Sequence, residues 1–353
     1  MTDVYEKLRA HLDDMGNGFP ETETKIEIKI LKQLFTEAQA ELFMQLMPFL
    51  ESPDDAAKRL DLEAGELAMM MEQMAKKGLL FRKRDEDRVR YAVVPYVVGI
   101  FEHQLNRMDE EFARDHETYF ETGFGRTIQS FKTPILRSVP IQRQLVADWP
   151  IAPCEDVLQI IENQEKIAVA PCICRSTTEL VRKGCNKEKE NCFSFGSHAD
   201  YYVENGMGRY ITKAEAKEII IKNEQEGLVM QPFNSQKVGG MCSCCGDCCG
   251  VLRSLKLHPK PAESVQSNYF ARVDEDECTG CETCLERCQM DAIDFPDGLA
   301  SINLDRCIGC GLCVTTCPTE AIALIKKPEE ELYIPPESGM ETYMRIAQER
   351  GRI

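Results

Sequence analysis

Residues 278–293 read CTGCETCLERCQMDAI, and residues 307–322 read CIGCGLCVTTCPTEAI. The two stretches align at an offset of 29 residues with every cysteine matched, so the pattern C-x2-C-x2-C-x3-C occurs twice in register. Two occurrences in register are not a chance event, and cysteines this closely spaced bind either metal or one another. The internal repeat therefore decides the architecture of the C-terminal part of the chain.

The repeat resembles the bacterial ferredoxin that carries two [4Fe–4S] clusters, and the resemblance covers about 55 residues. In that family each cluster is held by three cysteines of one repeat and by the last cysteine of the other, which ties the two halves together. The resemblance implies two ligand sets, which are Cys278, Cys281, Cys284 and Cys317 for one cluster and Cys307, Cys310, Cys313 and Cys288 for the second.

Two details of the repeat bear on how it works. Pro318 follows the last cysteine of the second repeat, whereas Gln289 takes the equivalent place in the first repeat. This difference from the ferredoxin pattern changes the local environment of the site but not its ligands. Residues 270–325 contain eleven Asp and Glu and three Arg, so we expect an acidic surface that docks onto a basic redox partner. Zinc is the alternative metal, but zinc sites are closed sets of four ligands and do not account for eight interleaved cysteines.

The other ten of the 18 cysteines lie upstream of the repeat. Nine form two groups in the sequence, which are Cys172, Cys174, Cys185 and Cys192 in the first and Cys242, Cys244, Cys245, Cys248 and Cys249 in the second. Cys154 stands apart and is expected to be a small buried apolar residue. Because crowded thiolates repel one another unless a metal neutralises them, we expect these nine to hold one or two further metal centres.

The stretch 241–250, MCSCCGDCCG, contains CCG twice. It resembles the CCG element of heterodisulfide reductase catalytic subunits, where adjacent cysteines hold an unusual cluster, although the surrounding spacing departs from that family. All-sulfur ligands beside a ferredoxin domain favour iron–sulfur over zinc. A single zinc site and a metal-free dithiol/disulfide pair stay open as alternatives.

The N-terminal sequence and the composition of this chain of 353 residues predict its compartment and argue against two classes of partner. The N-terminus, MTDVYEKLRAHLDD, has neither the basic nor the apolar segment of a secretory signal, and no run approaches the roughly 18 apolar residues of a membrane span. A cytoplasmic location is expected, and there thiols stay reduced. The net charge of −17 argues against a nucleic-acid or anionic-membrane binder.

The N-terminal part is similar to winged helix-turn-helix domains in the order of its predicted elements. Several amphipathic helices precede residues 81–94, FRKRDEDRVRYAVV, which are typical of a strand–turn–strand wing. The would-be recognition helix, 62–77, presents glutamates and a methionine stripe in place of the Arg, Lys, Asn or Gln that read bases. A role in protein docking or homodimerisation is favoured over DNA binding.

These patterns predict an α+β multidomain protein. It has a winged-helix-like helical domain, a helix and extended connector, a cysteine-rich α/β domain, a ferredoxin-like dicluster domain, and a linker with a final helix. The corresponding ranges are 1–100, 101–150, 151–268, 269–325 and 326–353.

The sequence predicts electron transfer. Single electrons would pass between redox partners through two [4Fe–4S] clusters and at least one further centre, within a larger redox system of an anaerobe. Two alternatives remain, a redox-sensing winged-helix regulator and an oxidoreductase that reduces a small substrate at the middle-domain centre. The five histidines are scattered, so no catalytic residue can be named.

Overall fold

The computed structural model describes residues 3–128, 130, 132–141, 153–182 and 184–353. Helix accounts for 43% and strand for 15%, so the protein is the expected mixture of helix and sheet. In the part of the chain that the structure describes, none of the helices combines the length and the apolar character needed to cross a membrane.

Five helices and a β-hairpin form the N-terminal part. They are α1 (Val4–Asp14), α2 (Ile26–Leu34), α3 (Glu37–Phe43), α4 (Pro53–Leu60), α5 (Ala64–Lys76), β1 (Leu80–Asp85) and β2 (Arg88–Val93). Thr36 starts α3 with a capping box, and Ser52 caps α4 ahead of a proline. An isolated antiparallel bridge joins Glu51 to Tyr91 of the hairpin, so a short extended segment flanks its two strands.

Two further helices, α6 (Glu110–Tyr119) and α7 (Gly125–Ile128), complete the N-terminal core. The helix predicted at the start of residues 101–150 begins only at Glu110, because Glu102–Gln104 form a single 3₁₀ turn and Asp109 caps α6. Among the described residues, the largest apolar core includes Phe112 and Tyr119 from α6 and extends to Ile173 of the middle domain. The N-terminal part and the middle domain therefore share a core.

The middle domain is built on a five-stranded sheet with the order β5-β3-β4-β7-β6. Its strands are β3 (Ile167–Pro171), β4 (Glu190–Phe195), β5 (Arg209–Ile211), β6 (Val229–Pro232) and β7 (Gly240–Cys244). Its helices are α8 (Val157–Glu162), α9 (Ile173–Val181), α10 (Ser197–Glu204), α11 (Lys213–Gln225), α12 (Gly250–Leu257) and α13 (Pro261–Val265). The sequence predicts an α/β domain, but every pairing is antiparallel, so the domain is α+β.

The extended connector lies along the edge of this sheet. The backbone N–H groups of Arg137 and Val139 donate to the carbonyl oxygens of Pro232 and Met230 in β6 over 3.1 Å each. The described part of the connector thus adds to the middle domain, while the predicted boundary at 150/151 lies outside the described residues.

The C-terminal domain is small, and its two halves mirror the sequence repeat. Strand β8 (Tyr269–Val273) pairs antiparallel with β11 (Ile322–Lys326), and β9 (Ile293–Asp294) pairs antiparallel with β10 (Ser301–Ile302). One short helix, α14 (Thr283–Arg287), lies within the first cysteine loop and contains Cys284. The cysteine loops lie between these two ribbons.

The last helix, α15 (Gly339–Glu349), returns to the N-terminal part. Arg350 donates to Asp13 Oδ1 over 2.8 Å, and the Tyr343 hydroxyl donates to the carbonyl oxygen of Val98 over 3.0 Å. Glu349 accepts hydrogen bonds from Thr133. The end of the chain therefore fastens the N-terminal part and the connector together.

Candidate metal centres

Two cavities in the C-terminal domain are each lined by four cysteines. The first is lined by Cys278, Cys281, Cys284 and Cys317, and the second by Cys288, Cys307, Cys310 and Cys313. Each cavity therefore brings together three cysteines of one repeat and the last cysteine of the other, which are the two sets that the ferredoxin resemblance implies. We call them the outer cavity and the inner cavity, for reasons given below.

The backbone supplies hydrogen bonds to the sulfurs in a reciprocal way. The N–H of Ala300 donates to Cys278 Sγ over 3.5 Å, and the N–H of Ala271 donates to Cys307 Sγ over 3.4 Å. Both donors and both acceptors are related by the offset of 29 residues. The sequence repeat is thus a repeat of the ligand environment.

Close backbone approach explains two glycines of the cysteine loops. Gly280 has φ +65°, and a Cβ there would lie 2.1 Å from the carbonyl oxygen of Gly298. Gly309 has φ +63°, and a Cβ there would lie 2.2 Å from the carbonyl oxygen of Tyr269. Since a side chain would collide with backbone at either position, only glycine lets these loops close around the cavities.

The two cavities differ in exposure. Cys281 of the outer cavity is exposed, and hydrogen bonds from Thr283 lower its pKa. In the inner cavity Cys313 is buried and Cys310 is half-buried, and burial raises the pKa of Cys310 to about 12 and that of Cys313 well above its ordinary value. The outer cavity therefore meets solvent, whereas the inner cavity lies toward the rest of the molecule.

In the middle domain the structure regroups the cysteines of the two sequence clusters. Six thiols form a connected set in which each sulfur neighbours the next, in the order Cys172, Cys174, Cys249, Cys244, Cys242 and Cys192. We call this the six-cysteine site. The set takes members from both sequence groups, because neighbouring residues point in opposite directions and each CC pair sends one thiol to the six-cysteine site and the other elsewhere.

Antiparallel pairing and two helix starts create the six-cysteine site. Strand β4 carries Cys192 between β3 and β7, and β7 carries Cys242 and Cys244. Cys172 is the N-cap of α9, and Cys249 is the N-cap of α12, and neither side chain caps its own helix. Both helices thus direct the positive ends of their dipoles and free amide groups toward the sulfurs.

Ionisation of these thiols is coupled. The pKa values of Cys172, Cys242 and Cys244 are raised well above that of an ordinary thiol. The largest cause in each case is a neighbouring thiol, which is Cys174 for Cys172, Cys192 for Cys242 and Cys242 for Cys244, and burial adds to the effect. Each thiolate that forms opposes the next one. A bound cation removes this repulsion, so the donor set fits a metal centre with several thiolate ligands.

Arg175 lies beside the site and is buried to 2% exposure. Its guanidinium donates to Asn191 Oδ1 and to the carbonyl oxygen of Ser243, each over 2.8 Å, and to the carbonyl oxygen of Glu188 over 3.2 Å. None of these acceptors is anionic, and the ionisable groups that interact with the guanidinium are cysteines, Cys172 and Cys244 of the six-cysteine site and Cys245 and Cys185 outside it. A buried cation needs a counter-charge, and thiolates or an anionic thiolate–metal centre supply it.

A separate group joins the remaining middle-domain thiols. Cys185, Cys245 and Cys248 place their sulfurs, together with a carboxylate oxygen of Asp247, within 4.8 Å of one another. Contact with Cys245 lowers the pKa of Cys248 to about 5, helped by Thr178. We call these four residues the three-thiol group.

The ferredoxin domain and the six-cysteine site adjoin each other. Cys242, Cys244 and Cys249 belong to the same apolar cluster as Cys288 and Cys310 of the inner cavity. Polar contacts also cross this boundary: the Gly246 N–H donates to Gln289 Oε1, and Arg287 donates to the carbonyl oxygens of Glu224 and Gln225. The inner cavity thus faces the middle-domain thiols across packed side chains.

Sequence reasoning missed the buried arginine and its partners. Arg175 directly follows the last cysteine of PCICR, and a basic residue beside paired cysteines is a usable signal. Asn191, by contrast, precedes Cys192 without any pattern, and Gln231, which donates to Cys249 Sγ over 3.9 Å, has no signal at all. Cys154 lies apart from the other thiols, but it is half-buried and not fully buried as expected.

Comparison with known proteins agrees with the C-terminal assignment. A family model described as a 4Fe-4S dicluster domain matches residues 263–329. No curated protein and no solved structure matches the chain. The C-terminal part is therefore a ferredoxin-like iron–sulfur domain, and together with the many cysteines this indicates iron–sulfur electron transfer.

Proposed function

We propose that this protein relays single electrons between redox partners. It would do so through two [4Fe–4S] clusters in the outer and inner cavities and a further iron–sulfur centre in the six-cysteine site. The ligands would be the eight cysteines of the two cavities and Cys172, Cys174, Cys192, Cys242, Cys244 and Cys249. When bound, these groups supply one-electron oxidation and reduction at sulfur-ligated iron.

The observation that carries the proposal is the continuity between the three sites. The outer cavity opens to solvent at Cys281, while Cys288 and Cys310 of the inner cavity share an apolar cluster with Cys244 and Cys249. The order from solvent inward is therefore outer cavity, inner cavity and six-cysteine site. This order suits a relay with its entrance at the ferredoxin surface.

The protein residues around the sites set charge and exclude water. Arg175 offsets the negative charge of the six-cysteine site, and the first turns of α9 and α12 direct amide groups at it. Ala271 and Ala300 give amide hydrogen bonds to the ferredoxin thiols. Such contacts tune potentials in iron–sulfur proteins, so these residues are expected to do so here.

The partner is expected to be basic around its docking face. Asp274, Glu275, Asp276 and Glu277 are exposed just before the first cysteine loop, and Glu282 is exposed beside Cys281. Opposite charges steer such encounters, and the effect weakens with salt. A fall in the rate of electron transfer with rising ionic strength would support this role.

The N-terminal part would dock the protein within a larger complex or form a homodimer. Its hairpin is engaged inside the molecule, since Arg82 is buried and donates to Glu72 and Glu204, and Arg84 donates to the same two carboxylates. Cations held this way are poor phosphate ligands. This favours docking over the alternative of a DNA-binding regulator.

The proposal is tested by EPR of the anaerobically reduced chain. Neighbouring paramagnetic clusters broaden and split one another's signals, so we expect interaction between the inner-cavity signal and the middle-domain centre. The double variant Cys244→Ala, Cys249→Ala should abolish that interaction and leave the mutual interaction of the two ferredoxin signals. Identical spectra from the variant and the wild type would contradict the relay, and small-molecule reduction by the isolated protein would favour the enzyme alternative.

A further inference from the structure

The three-thiol group lies apart from the sites that the electron-transfer proposal uses. Cys185 comes from the segment between α9 and β4, and Cys245, Asp247 and Cys248 come from the turn between β7 and α12. We propose that these four residues bind one zinc ion as a closed site, separate from the iron–sulfur centres. This inference does not rest on the proposed function.

Sulfur spacing is the first argument for a single ion. Cys185 Sγ and Cys245 Sγ lie 3.7 Å apart. Two sulfurs on one tetrahedral zinc lie about 3.8 Å apart, because each Zn–S bond is about 2.3 Å long. The four ligand atoms, all within 4.8 Å of one another, have the dimensions of one coordination sphere.

The other cysteine sites provide an internal comparison. Among the residues that the structure describes, no second set of three or more Cys, His, Asp or Glu brings its ligand atoms within 4.8 Å of one another. The two ferredoxin sets and the six-cysteine site are therefore wider. A cluster binds each thiolate to a different iron, which spreads the ligands apart, whereas one ion gathers them.

Ligand chemistry is the second argument. Cys245 and Cys248 form a C-x2-C turn, a spacing typical of structural zinc sites. Three thiolates and one carboxylate complete four-coordination, and zinc accepts sulfur and oxygen together. Cys245 and Cys248 are buried while Asp247 is exposed, so the carboxylate would close the site on the solvent side.

The proposed zinc site would hold in place a chain segment that supports the six-cysteine site. After Cys185 the chain continues to Glu188, whose carbonyl oxygen accepts from Arg175, and to Lys189, whose carbonyl oxygen accepts from the Cys172 N–H over 2.7 Å. Zinc would fasten this segment to the turn at 245–248. Its role would be structural positioning, without electron transfer.

The first test is metal analysis of the full chain purified without air. We expect about one zinc per chain in addition to iron. Cys248→Ser should lose the zinc and keep the ferredoxin iron, whereas the matched variant Cys242→Ser should lose middle-domain iron and keep the zinc. Wild-type protein without zinc, or a Cys248→Ser variant that keeps zinc and loses iron instead, would overturn the inference.

The second test does not depend on how a cysteine variant folds. Zinc-edge X-ray absorption of the wild type should show three sulfurs at about 2.3 Å and one oxygen at about 2.0 Å. Asp247→Ala, at an exposed position, should keep the three sulfurs and release zinc to a chelator at least tenfold faster. Four sulfurs around zinc, or unchanged release, would overturn the assignment. Missing zinc with intact iron refutes only this site, and missing iron with zinc present refutes only the relay.

Discussion

The backbone N–H of Gly246 donates to Gln289 Oε1 over 2.7 Å, so the centre of the CCG turn is joined to the ferredoxin repeat. Gln289 stands where the second repeat has Pro318, and proline has no side-chain acceptor. A Cβ at Gly246 would lie 2.8 Å from the Gln289 carbonyl oxygen, so the two backbones are also in close contact. The departure from the ferredoxin pattern thus coincides with the contact between the two domains.

Removing this contact should loosen the domain boundary. Gln289→Ala leaves the partly buried Gly246 N–H without its acceptor, which costs on the order of 1–3 kcal/mol. We expect a melting temperature a few degrees lower under anaerobic conditions and faster proteolytic cleavage between the middle and C-terminal domains. Gln348→Ala, on the exposed side of α15, is the control and should change neither property. Equal effects of the two substitutions would mean that the contact does not join the domains.

The crossing of ligands between the repeats can be tested one cysteine at a time. Cys317→Ser should perturb the EPR signal of the cluster in the outer cavity, and Cys288→Ser that of the cluster in the inner cavity, since each cavity contains the last cysteine of the other repeat. Loss of a cluster removes four irons from the chain. If Cys317→Ser instead affected the same cluster as Cys307→Ser, the crossed arrangement would be wrong.

The ferredoxin-like domain should tolerate a side chain at the positive-φ glycine of the β9–β10 turn and not at that of the second cysteine loop. Gly298→Ala meets no atom within 4 Å, so only the conformational cost of about 1–2 kcal/mol applies. Gly309→Ala carries that cost and also places Cβ 2.2 Å from the Tyr269 carbonyl oxygen. We expect Gly309→Ala to lose the inner-cavity iron on purification and Gly298→Ala to retain it. Equal iron contents in the two variants would show that the loop at Gly309 can shift to accommodate a side chain.

Arg175 should be needed for the middle-domain centre. Arg175→Gln removes the buried cation that faces the thiols, and breaking such a buried charge arrangement costs roughly 3–5 kcal/mol. We expect loss of middle-domain iron with the ferredoxin signals kept. The control is Arg182→Gln at the end of the same helix, where the side chain is more exposed and pairs with Glu117. Full iron content in Arg175→Gln would contradict the counter-charge role.

Acid should destabilise the protein through buried histidines. Burial lowers the pKa of His103 and of His116 to about 3. In the unfolded chain a histidine takes up its proton near pH 6.5. The stability that each neutral, buried histidine contributes is therefore complete above that pH, and it is lost by about 1.4 kcal/mol per pH unit as the pH falls toward the folded pKa. Glu102, whose pKa burial raises to about 7, acts in the opposite sense.

The variant His116→Phe isolates one of these contributions. It keeps the ring that stacks on Phe101 but removes the titrating group and the partner of the Tyr96 hydroxyl. We expect a lower melting temperature at pH 7.5 and a smaller further decrease on going to pH 5.5 than in the wild type. If the melting temperatures of the two proteins decreased equally between pH 7.5 and pH 5.5, His116 would take up its proton in the native state as readily as in the unfolded chain.

Part of this architecture follows from the sequence. The offset of 29 residues predicts which cysteines meet in each ferredoxin cavity, because the ligand loops are local and the repeat fixes how they pair. The helix caps at Ser52, Thr212 and Ser338 are likewise local signals, and each caps its helix in the structure. Sequence patterns therefore predict the features that depend on residues close together in the chain.

The grouping of the middle-domain thiols does not follow from the sequence. Cys192 and Cys242 meet because β4 pairs with β7, a long-range pairing without a local signal. Cys244 and Cys245 part because adjacent residues point to opposite sides. The counter-charge of Arg175 depends on the same tertiary packing. Proximity along the chain is therefore a poor guide to which thiols share a metal.

Iron and acid-labile sulfide analysis of the anaerobically purified chain, paired with Cys192→Ser, tests the central claim most directly. The account predicts more than eight irons per wild-type chain with matching sulfide, and about eight in the variant, because two [4Fe–4S] clusters account for eight. A wild-type content of eight irons or fewer, unchanged in Cys192→Ser, would contradict an iron–sulfur centre at the six-cysteine site. Protein that contains only zinc, without sulfide, would contradict the electron relay altogether.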